Sequence, residues 1–392
     1  MNRRPKVLTT LLGVASSMTI AGCAALSEVR SAPTTHTYYV AADEVVWDYA
    51  PGGVNEITGE PFGEAEAFWV ESGPHRIGKV YKKALFREYT DDTFTTLKPR
   101  PPEWEHLGIL GPLMRAEVGD TIRVVYRNNV PFPNGLHPHG VFYEKDSEGA
   151  PYKDGTVGAD QADDGVPPGG THTYVWPVPE RAGPGEGDSN SVLWMYHSHT
   201  DEVQDVNAGL LGPMLINARG STGAKGAPEG VDREFIVAFN EVFENESWYL
   251  QENIQTYTSD PDGQVLIQDP FGQPLLVSDP AATPDYNLME SLNGFIYGNL
   301  AGLTMRVGEH VRWYIMASTN FEVHAPHWHG NTVLIQGMRT DVATLLSMGM
   351  LIADMVPDNP GTWLFHCHVG AHLEGGMTSL YTVEPAGETA GR

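Results

Sequence analysis

Short runs of apolar and β-branched residues, separated by turn residues, recur along most of the chain. Residues 121–126 (TIRVVY) and 311–316 (VRWYIM) are two such runs. The chain contains 43 Gly and 29 Pro residues, which favour turns. The apolar periodicity that is typical of helices is scarce. Runs of about four to eight residues bounded by turn signals predict strands. We therefore expect an all-β protein made of sandwich or barrel domains.

An internal repeat predicts two copies of one fold. Residues 114–120 (MRAEVGD) precede one histidine motif, and residues 305–309 (MRVGE) precede another at nearly the same distance. Residues 218–230, between the copies, are rich in Gly, Ser and Ala, which is typical of a linker. We predict domains at residues 35–217 and 231–386, joined by this linker.

The N-terminus has the form of an export signal. Arg3, Arg4 and Lys6 form a basic start, and a mostly apolar run follows at residues 7–20. This run is too short to span a membrane. Residues 20–23 (IAGC) resemble the box of bacterial lipoproteins, so residues 1–23 predict an exported, extracytoplasmic protein anchored by lipid at Cys23. An ordinary signal peptide is the alternative.

The formal charge is −26, and removing residues 1–22 deletes three basic residues and no acidic ones, which gives −29 for the exported form. This charge disfavours nucleic acid and anionic lipid as partners and attracts cations. Only Cys23 and Cys367 are present. If Cys23 is lipidated, Cys367 has no disulfide partner within the chain.

Residues 366–377 (HCHVGAHLEGGM) carry the most specific chemistry. They place a thiolate at Cys367, an imidazole five residues later at His372, and a thioether ten residues later at Met377. Cysteine, two histidines and a weak axial methionine are the ligands of a blue-copper centre. Because alternate side chains on a strand face opposite ways, His366 and His368 would reach metals on the other side. We expect His366, Cys367 and His368 to be catalytic.

Histidines elsewhere extend this pattern. Ten of the fifteen histidines lie in four groups. The three groups outside 366–377 contain His137, His139, His197, His199, His324, His327 and His329. Imidazole suits copper, and the two histidines of each His-x-His pair would face one cavity. If two imidazoles serve a blue site, eight remain, which is enough for three further coppers.

These motifs resemble those of multicopper oxidases and occur in that family's order. The resemblance implies cupredoxin-like, Greek-key β-sandwich domains and four copper ions per chain as cofactors. The type 1 copper would be held by His324, Cys367, His372 and an axial Met377. The type 2 copper would take His137 and His327. One type 3 copper would take His139, His197 and His368, and the other His199, His329 and His366.

The local sequence is similar to that of the ceruloplasmin-type branch of this family. The similarity lies at residues 38–42, 44–49, 89–94, 105–112, 245–250 and 358–363. The resemblance implies one-electron oxidation of a donor at the type 1 copper, near a solvent-side His372, and reduction of dioxygen to water at the trinuclear cluster. We favour ferrous iron as the electron donor. The main alternative is oxidation of phenols, as in laccases. Cuprous ion is a third candidate donor, since thioethers suit this soft ion. The methionines that would bind it are Met338, Met348, Met350 and Met355.

The two copies differ at the blue site. Ser198 stands where the second copy has Cys367, and Asn134 stands where it has His324. The first domain would therefore supply only histidines for the trinuclear cluster. The family closes such chains into a ring of three, which implies a homotrimer with each cluster between neighbouring chains. A copper nitrite reductase and a non-enzymatic copper-binding protein are the alternatives.

Two further groups rest on resemblance to ceruloplasmin alone. Oxygen donors suit calcium, and the aligned residues are Lys145, Asp160, Asp163 and Asp164. A solvated acidic loop is the alternative for this group. A ferrous substrate site is expected on segments that resemble iron-binding ones, at Glu103, Glu105, His106 and Glu244.

Overall fold

The computed structural model describes residues 32–74, 76–259, 265–268, 274–277, 287–318 and 323–387. Strands dominate these residues and helices are few and short, so the all-β prediction is confirmed. The signal predicted at residues 1–23, with Cys23, lies outside the described residues. In the described part of the chain, no helix is long and apolar enough to cross a membrane.

The first half of the chain forms two four-stranded sheets that share one apolar core. Its strands are β1 (Thr35–Asp48), β2 (Val80–Tyr89), β3 (Met114–Glu117), β4 (Thr121–Asn128), β5 (His137–Pro138), β6 (Thr171–Pro177), β7 (Ser191–His197) and β8 (Leu211–Asn217). Its helices are α1 (Glu64–Val70) and α2 (Glu202–Ala208). The sheet orders are β2-β1-β4-β6 and β3-β8-β7-β5. Strand β4 buries every second residue, which is the pattern of a strand with one face on a core.

The second half forms a similar sandwich. Its strands are β9 (Arg233–Phe243), β10 (Val265–Gln268), β11 (Pro274–Val277), β12 (Leu288–Leu292), β13 (Thr304–Arg306), β14 (Val311–Ala317), β15 (Pro326–Trp328), β16 (Val333–Ile335), β17 (Met338–Thr340), β18 (Met350–Met355), β19 (Gly361–Cys367) and β20 (Thr378–Glu384). Its helices are α3 (Leu250–Tyr257) and α4 (Gly370–Glu374). The sheet orders are β12-β9-β14-β18-β16-β17 and β13-β20-β19-β15, with β10-β11 as a separate hairpin.

The two sandwiches follow one plan. In the first, β1 pairs in parallel with β4, and β3 with β8. In the second, β9 pairs in parallel with β14, and β13 with β20. The order β2-β1-β4-β6 thus corresponds to β12-β9-β14-β18, and β3-β8-β7-β5 to β13-β20-β19-β15. The correspondence explains the sequence repeat, since β3 and β13 carry the two repeated Met-Arg segments.

Strands at the junction of the sandwiches are buried on both faces. All seven residues of β8 and of β14 are buried, as are nine of the eleven residues of β9. Ile236 of β9 and Tyr314 of β14 belong to an apolar cluster there, together with Leu193 and Met195 of β7. Burial on both faces explains why these strands read as continuous apolar runs without alternation. The limits 35–217, 218–230 and 231–386 remain predictions.

Candidate metal centre

Three buried side chains of the second sandwich bring metal-binding atoms together. Cys367 ends β19, His324 precedes β15, and His372 lies on α4. Cys367 Sγ lies 3.4 Å from His372 Nδ1 and 3.9 Å from His324 Nδ1, and these two nitrogens are 3.2 Å apart. Ligand atoms about 2.0–2.3 Å from one ion in a trigonal arrangement would lie about 3.5–4 Å apart. The triangle therefore has the size and the donors of a soft transition-metal site.

A one-turn helix returns the chain to this triangle. The Cys367 amide donates to the Met377 carbonyl (3.1 Å), and the Met377 amide donates to the His372 carbonyl (2.9 Å). Gly376 has φ +98°, and a Cβ there would lie 3.0 Å from the Tyr297 ring. A glycine is therefore required at this turn. Met377 is fully buried in the same apolar cluster as Cys367.

Neighbouring groups orient the three ligands. The Ala325 amide donates to Cys367 Sγ (3.3 Å), a contact that orients the sulfur. His372 Nε2 lies 2.9 Å from Glu241 Oε1. The carboxylate thus faces Nε2, and the other ring nitrogen, Nδ1, lies in the triangle and is available to a metal. Burial lowers the pKa of His324 to about 3, so its ring is neutral at neutral pH.

Glu241 belongs to an acidic pair that our sequence reasoning missed. Glu241 on β9 lies directly opposite Glu290 on β12, and both are buried. Their carboxylate oxygens and a ring nitrogen of His372 lie within 4.8 Å of one another. The sequence gives only a weak signal for this pair, namely that the acidic Glu241 lies within the mostly apolar run 235–243. The expectation of a solvent-side His372 is wrong, because its side chain is fully buried.

The first sandwich carries one group of histidines at the ends of β5 and β7. His139 Nε2 and His197 Nε2 lie 3.1 Å apart. His137 Nδ1 donates to the Glu148 carbonyl (2.7 Å), and His197 Nδ1 donates to the Ser198 carbonyl (3.0 Å). These bonds leave the Nε2 atoms for a metal. Burial lowers the pKa of His139 to about 4 and that of His197 to about 3.

The second sandwich repeats this arrangement on β15 and β19. His329 Nε2 and His366 Nε2 lie 3.1 Å apart. His327 Nδ1 donates to the Asp341 carbonyl (2.8 Å), and His366 Nδ1 donates to the Cys367 carbonyl (2.7 Å). Ligand atoms of His327, His329 and His366 lie within 4.8 Å of one another. Each sandwich therefore presents a similar set of imidazoles, two of which have their Nδ1 atoms held by carbonyls.

His199 and His368 complete the two groups. The His199 ring lies 5.2 Å from that of His137, and the His368 ring lies 5.3 Å from that of His327. Among the residues that the structure describes, ring contacts join histidines within each group, and none joins one group to the other. A single chain thus presents two separate half-sites.

Hydrogen bonds fill the equivalent of the Cys367 triangle in the first sandwich. Ser198 Oγ donates to Asp205 Oδ2 (2.6 Å), and Trp248 Nε1 donates to Asp205 Oδ1 (2.9 Å). Asn134 Oδ1 accepts a hydrogen bond from the Tyr126 hydroxyl. These side chains offer neither a thiolate nor an imidazole, so this place lacks the donors of a blue-copper site.

The residues aligned with calcium ligands divide into two pairs. Lys145 and Asp160 are exposed, and Lys145 Nζ forms an ion pair with Asp154 at 2.9 Å. Asp163 is fully buried, and its Oδ1 has no hydrogen-bond partner among the described residues. Burial raises the pKa of Asp163, and burial together with Asp163 raises that of Asp164. Asp163 and Asp164 are therefore the oxygen donors that a cation would satisfy.

His106 has no ring nitrogen left for iron. Its Nδ1 donates to the Glu103 carbonyl (3.0 Å), and its Nε2 accepts from the Ile236 amide (3.1 Å). Burial lowers its pKa to about 4. His106 is therefore a buried, neutral imidazole that joins the segment before β3 to β9.

Glu244 is also committed elsewhere. It is fully buried, and its Oε1 lies 2.6 Å from Lys83 Nζ and 2.6 Å from the Tyr49 hydroxyl. Glu103 and Glu105 are exposed. The structure therefore does not bring Glu103, Glu105, His106 and Glu244 together as an iron site, because two of them are buried in separate hydrogen-bond networks.

Comparisons with known proteins agree with this arrangement. Two profiles, both described as "Multicopper oxidase", match residues 107–221 and 275–387. Human "Ferroxidase HEPHL1" is 44% identical over 354 residues, which cover 89% of this chain and 29% of that protein. Rat hephaestin is 42% identical over 352 residues, with 88% and 29% covered. Human ceruloplasmin is 42% identical over 358 residues, with 88% and 32% covered.

The chain thus spans about a third of the length of these relatives. A solved structure titled "Crystal structure of multicopper oxidase" superposes with a TM-score of 0.55 at 17% identity and covers 89% of each chain. At this identity the match concerns the fold, and it identifies the sandwiches as cupredoxin-like. With two matching profiles and relatives above 40% identity, the chain belongs to the multicopper oxidase family, in its ceruloplasmin-like branch.

Proposed function

We propose that this chain is a copper-dependent oxidase that takes single electrons from ferrous iron and passes them to dioxygen. The observation that carries the proposal is the continuity of two donor sets. Cys367 Sγ lies in the triangle with His324 and His372, while its sequence neighbours His366 and His368 belong to the histidine half-site. A few covalent bonds and the bond from His366 Nδ1 to the Cys367 carbonyl connect the two sets.

The donor atoms fit copper. The triangle of Cys367, His324 and His372, with Met377 nearby, would hold a type 1 ion, and the half-sites would hold the type 2 and type 3 ions. The partition proposed above by family resemblance agrees with the two close pairs, His139 with His197 and His329 with His366. When bound, these ions would supply one-electron oxidation of the donor and four-electron reduction of dioxygen to water.

The protein's own groups prepare these sites. Backbone carbonyls fix the tautomers of His137, His197 and His366. The Glu241 carboxylate lies 2.9 Å from His372 Nε2, on the side of the ring away from the triangle. Burial keeps His324 neutral and excludes water from Cys367. Contacts of this kind orient the ligands and determine which ring nitrogen would meet a metal.

A second copy of the chain would complete the trinuclear cluster. Among the described residues, the two half-sites of one chain make no ring contact with each other. The half-site on the first sandwich of one chain would therefore pair with the half-site on the second sandwich of a neighbouring chain. A closed ring uses each such heterologous interface once. A homotrimer is the proposed ring, and light scattering should give three times the mass of one chain.

Substrate iron would dock beside His372. The carboxylates of Glu241 and Glu290 lie close to the His372 ring, and they would hold a ferrous ion beside this type 1 ligand. Relatives named ferroxidase and hephaestin support this choice of donor. This pair replaces the site expected at Glu103, Glu105, His106 and Glu244.

Three finer assignments also belong to the proposal. Residues 1–23 would direct export and anchor the protein by lipid at Cys23. Calcium would bind Asp163 and Asp164, with the buried Asp163 Oδ1 as one ligand.

Oxygen uptake by the copper-loaded chain tests the function. We expect faster uptake with ferrous iron than with a simple phenol, after correction for uncatalysed iron oxidation. Glu290→Gln should slow ferrous turnover about 10-fold or more and leave phenol turnover unchanged. Glu105→Gln, a matched change at an exposed acid, should alter neither.

Other outcomes would redirect the proposal. Faster phenol turnover, unaffected by Glu290→Gln, would make the chain a laccase. Lack of uptake with either donor, by protein that carries its full copper complement, would contradict an oxidase and favour a copper-binding role.

A further inference from the structure

A cleft of about 740 Å³ opens away from the metal ligands. Neither Cys367 nor any of the ten clustered histidines lines it. Its walls come from β1, β2 and residues 97–115, together with Phe295 of the second sandwich. Sites for small organic molecules usually measure about 300–1,000 Å³. The cleft is therefore large enough for a small ligand and separate from the oxidase chemistry.

Aromatic side chains form much of its wall. Tyr38, Trp47, Trp104 and Phe295 line the cleft, and each is only partly buried. The Trp47 and Phe295 rings lie 5.1 Å apart, and Trp47 Nε1 donates to the Gly294 carbonyl (2.7 Å). These contacts fix the rings while part of their surface borders the cleft. Fixed, half-exposed rings suit a flat, aromatic ligand.

The cleft is cationic although the chain carries −26. Two carboxylates line it, from Glu88 and Glu105. Five cations line it: Arg87, Lys98, Arg100, Arg115 and Lys225. A local excess of positive charge in an acidic protein favours an anionic ligand.

Four of these cations already have carboxylate partners, and one of them is Arg87, which lies 3.9 Å from Asp43. Lys98 pairs with Glu88 at 2.8 Å. Arg115 pairs with Glu234 at 2.7 Å. Lys225 lies 3.6 Å from Glu103. These four would contribute little to a ligand, so the charge available to an anion comes from Arg100.

Arg100 is the cation best placed to hold an anion. Its Nη1 donates to the Gly108 carbonyl (2.9 Å), and its Nη2 donates to the Leu110 carbonyl (2.6 Å). Among the described residues it forms no ion pair. A guanidinium has five N–H donors, and these two bonds leave three. The carbonyls therefore fix the guanidinium without neutralising it.

We propose that this cleft binds a small aromatic carboxylate, with its ring against Trp104 and Trp47 and its carboxylate on Arg100. Guanidinium and carboxylate match as a planar, bidentate pair. The ligand's ring would displace water from half-exposed aromatic surface. The inference does not depend on the proposed oxidase function, since no metal ligand takes part.

Calorimetric titration of the full chain with benzoate tests this site. Benzoate reports binding without serving as a reducing substrate. We expect saturable binding, with benzyl alcohol at least about 10-fold weaker, because it lacks the charge that Arg100 would pair. Arg100→Gln should weaken benzoate by about 10- to 100-fold. Arg306→Gln, at an exposed arginine outside the cleft, is the charge-matched control and should leave affinity unchanged.

Arg100→Gln could also weaken binding by disturbing the fold, since Arg100 donates to two backbone carbonyls. A second variant therefore tests the site without changing Arg100. Trp104→Leu keeps the charge and removes an aromatic wall, and should weaken benzoate about 5-fold or more. Three results would overturn the proposal: no saturable binding up to about 10 mM, equal affinity for benzyl alcohol, or wild-type affinity in Trp104→Leu. Benzoate affinity that falls with rising protein concentration would also overturn it, by showing that a second copy fills the cleft.

Discussion

Removal of the Lys83 ammonium should destabilise the protein by leaving a carboxylate buried without its cation. Lys83 Nζ lies 2.6 Å from Glu244 Oε1 and donates to the Asn207 carbonyl at 2.6 Å. The side chains of Lys83 and Glu244 are both 0% exposed. Removing one partner of a buried ion pair typically costs about 3–5 kcal/mol. We expect Lys83→Met to lower the free energy of unfolding by about this amount near neutral pH.

The loss should depend on pH with a definite sign. Burial raises the pKa of Glu244 even in the intact pair, and among the described residues no cation other than Lys83 forms an ion pair with this carboxylate. A carboxyl whose pKa is higher in the folded state takes up a proton on folding. The charged form destabilises the fold above that pKa, and the penalty disappears as pH falls through it. The deficit of Lys83→Met should therefore be larger near pH 8 than near pH 5.

Urea unfolding followed by circular dichroism measures both effects. Lys79→Met is the matched control, since Lys79 pairs with Asp48 at 2.5 Å but the side chains are 21% and 34% exposed. That variant should lose less than about 1 kcal/mol. The double variant Lys83→Met with Glu244→Leu should recover most of the loss, because it leaves no buried charge. Equal stability of Lys83→Met and Lys79→Met, or a deficit that grows as pH falls, would refute the reasoning.

Three further predictions concern the site and its surroundings. Cys367→Ser should abolish the blue colour and donor oxidation of copper-loaded protein while the other coppers remain, and retained colour would contradict the assignment. Ser198→Ala removes a donor to the buried Asp205 and should cost about 1–3 kcal/mol in urea unfolding; an unchanged midpoint would argue against that network. Gly376→Ala adds backbone strain and a contact with Tyr297, and should cost about 1–3 kcal/mol. Gly308→Ala, at φ +85° with nothing within 4 Å, should cost less.

Local sequence predicted the parts of the site that lie close together along the chain. Residues 366–377 contain Cys367, His372 and Met377, and a strand followed by one helical turn is enough to bring them together. The alternation of a strand also separates Cys367 from His366 and His368. The repeated Met-Arg segments predicted two related folds. Each segment lies on an equivalent strand, β3 in the first sandwich and β13 in the second.

Contacts between distant segments could not be predicted in this way. His106 was a candidate ligand because its segment resembles one that carries iron-binding acids in ceruloplasmin, but the β9 amide of Ile236 donates to its Nε2. Glu244 looked similar, but Lys83 comes from another sandwich to neutralise it. A sequence shows which donors exist but not which of them a folded backbone has already used.

The sequence by itself determined the family, the ligand types and the two-sandwich plan, because these follow from local periodicity and from closely spaced motifs. Only the tertiary structure decided that Glu241 and Glu290 meet at His372, that His372 is buried, and that the two half-sites stay apart within one chain. The physical reason is that strand pairing and packing join residues far apart in sequence. Their register and orientation are fixed by burial across the whole fold rather than by any local pattern.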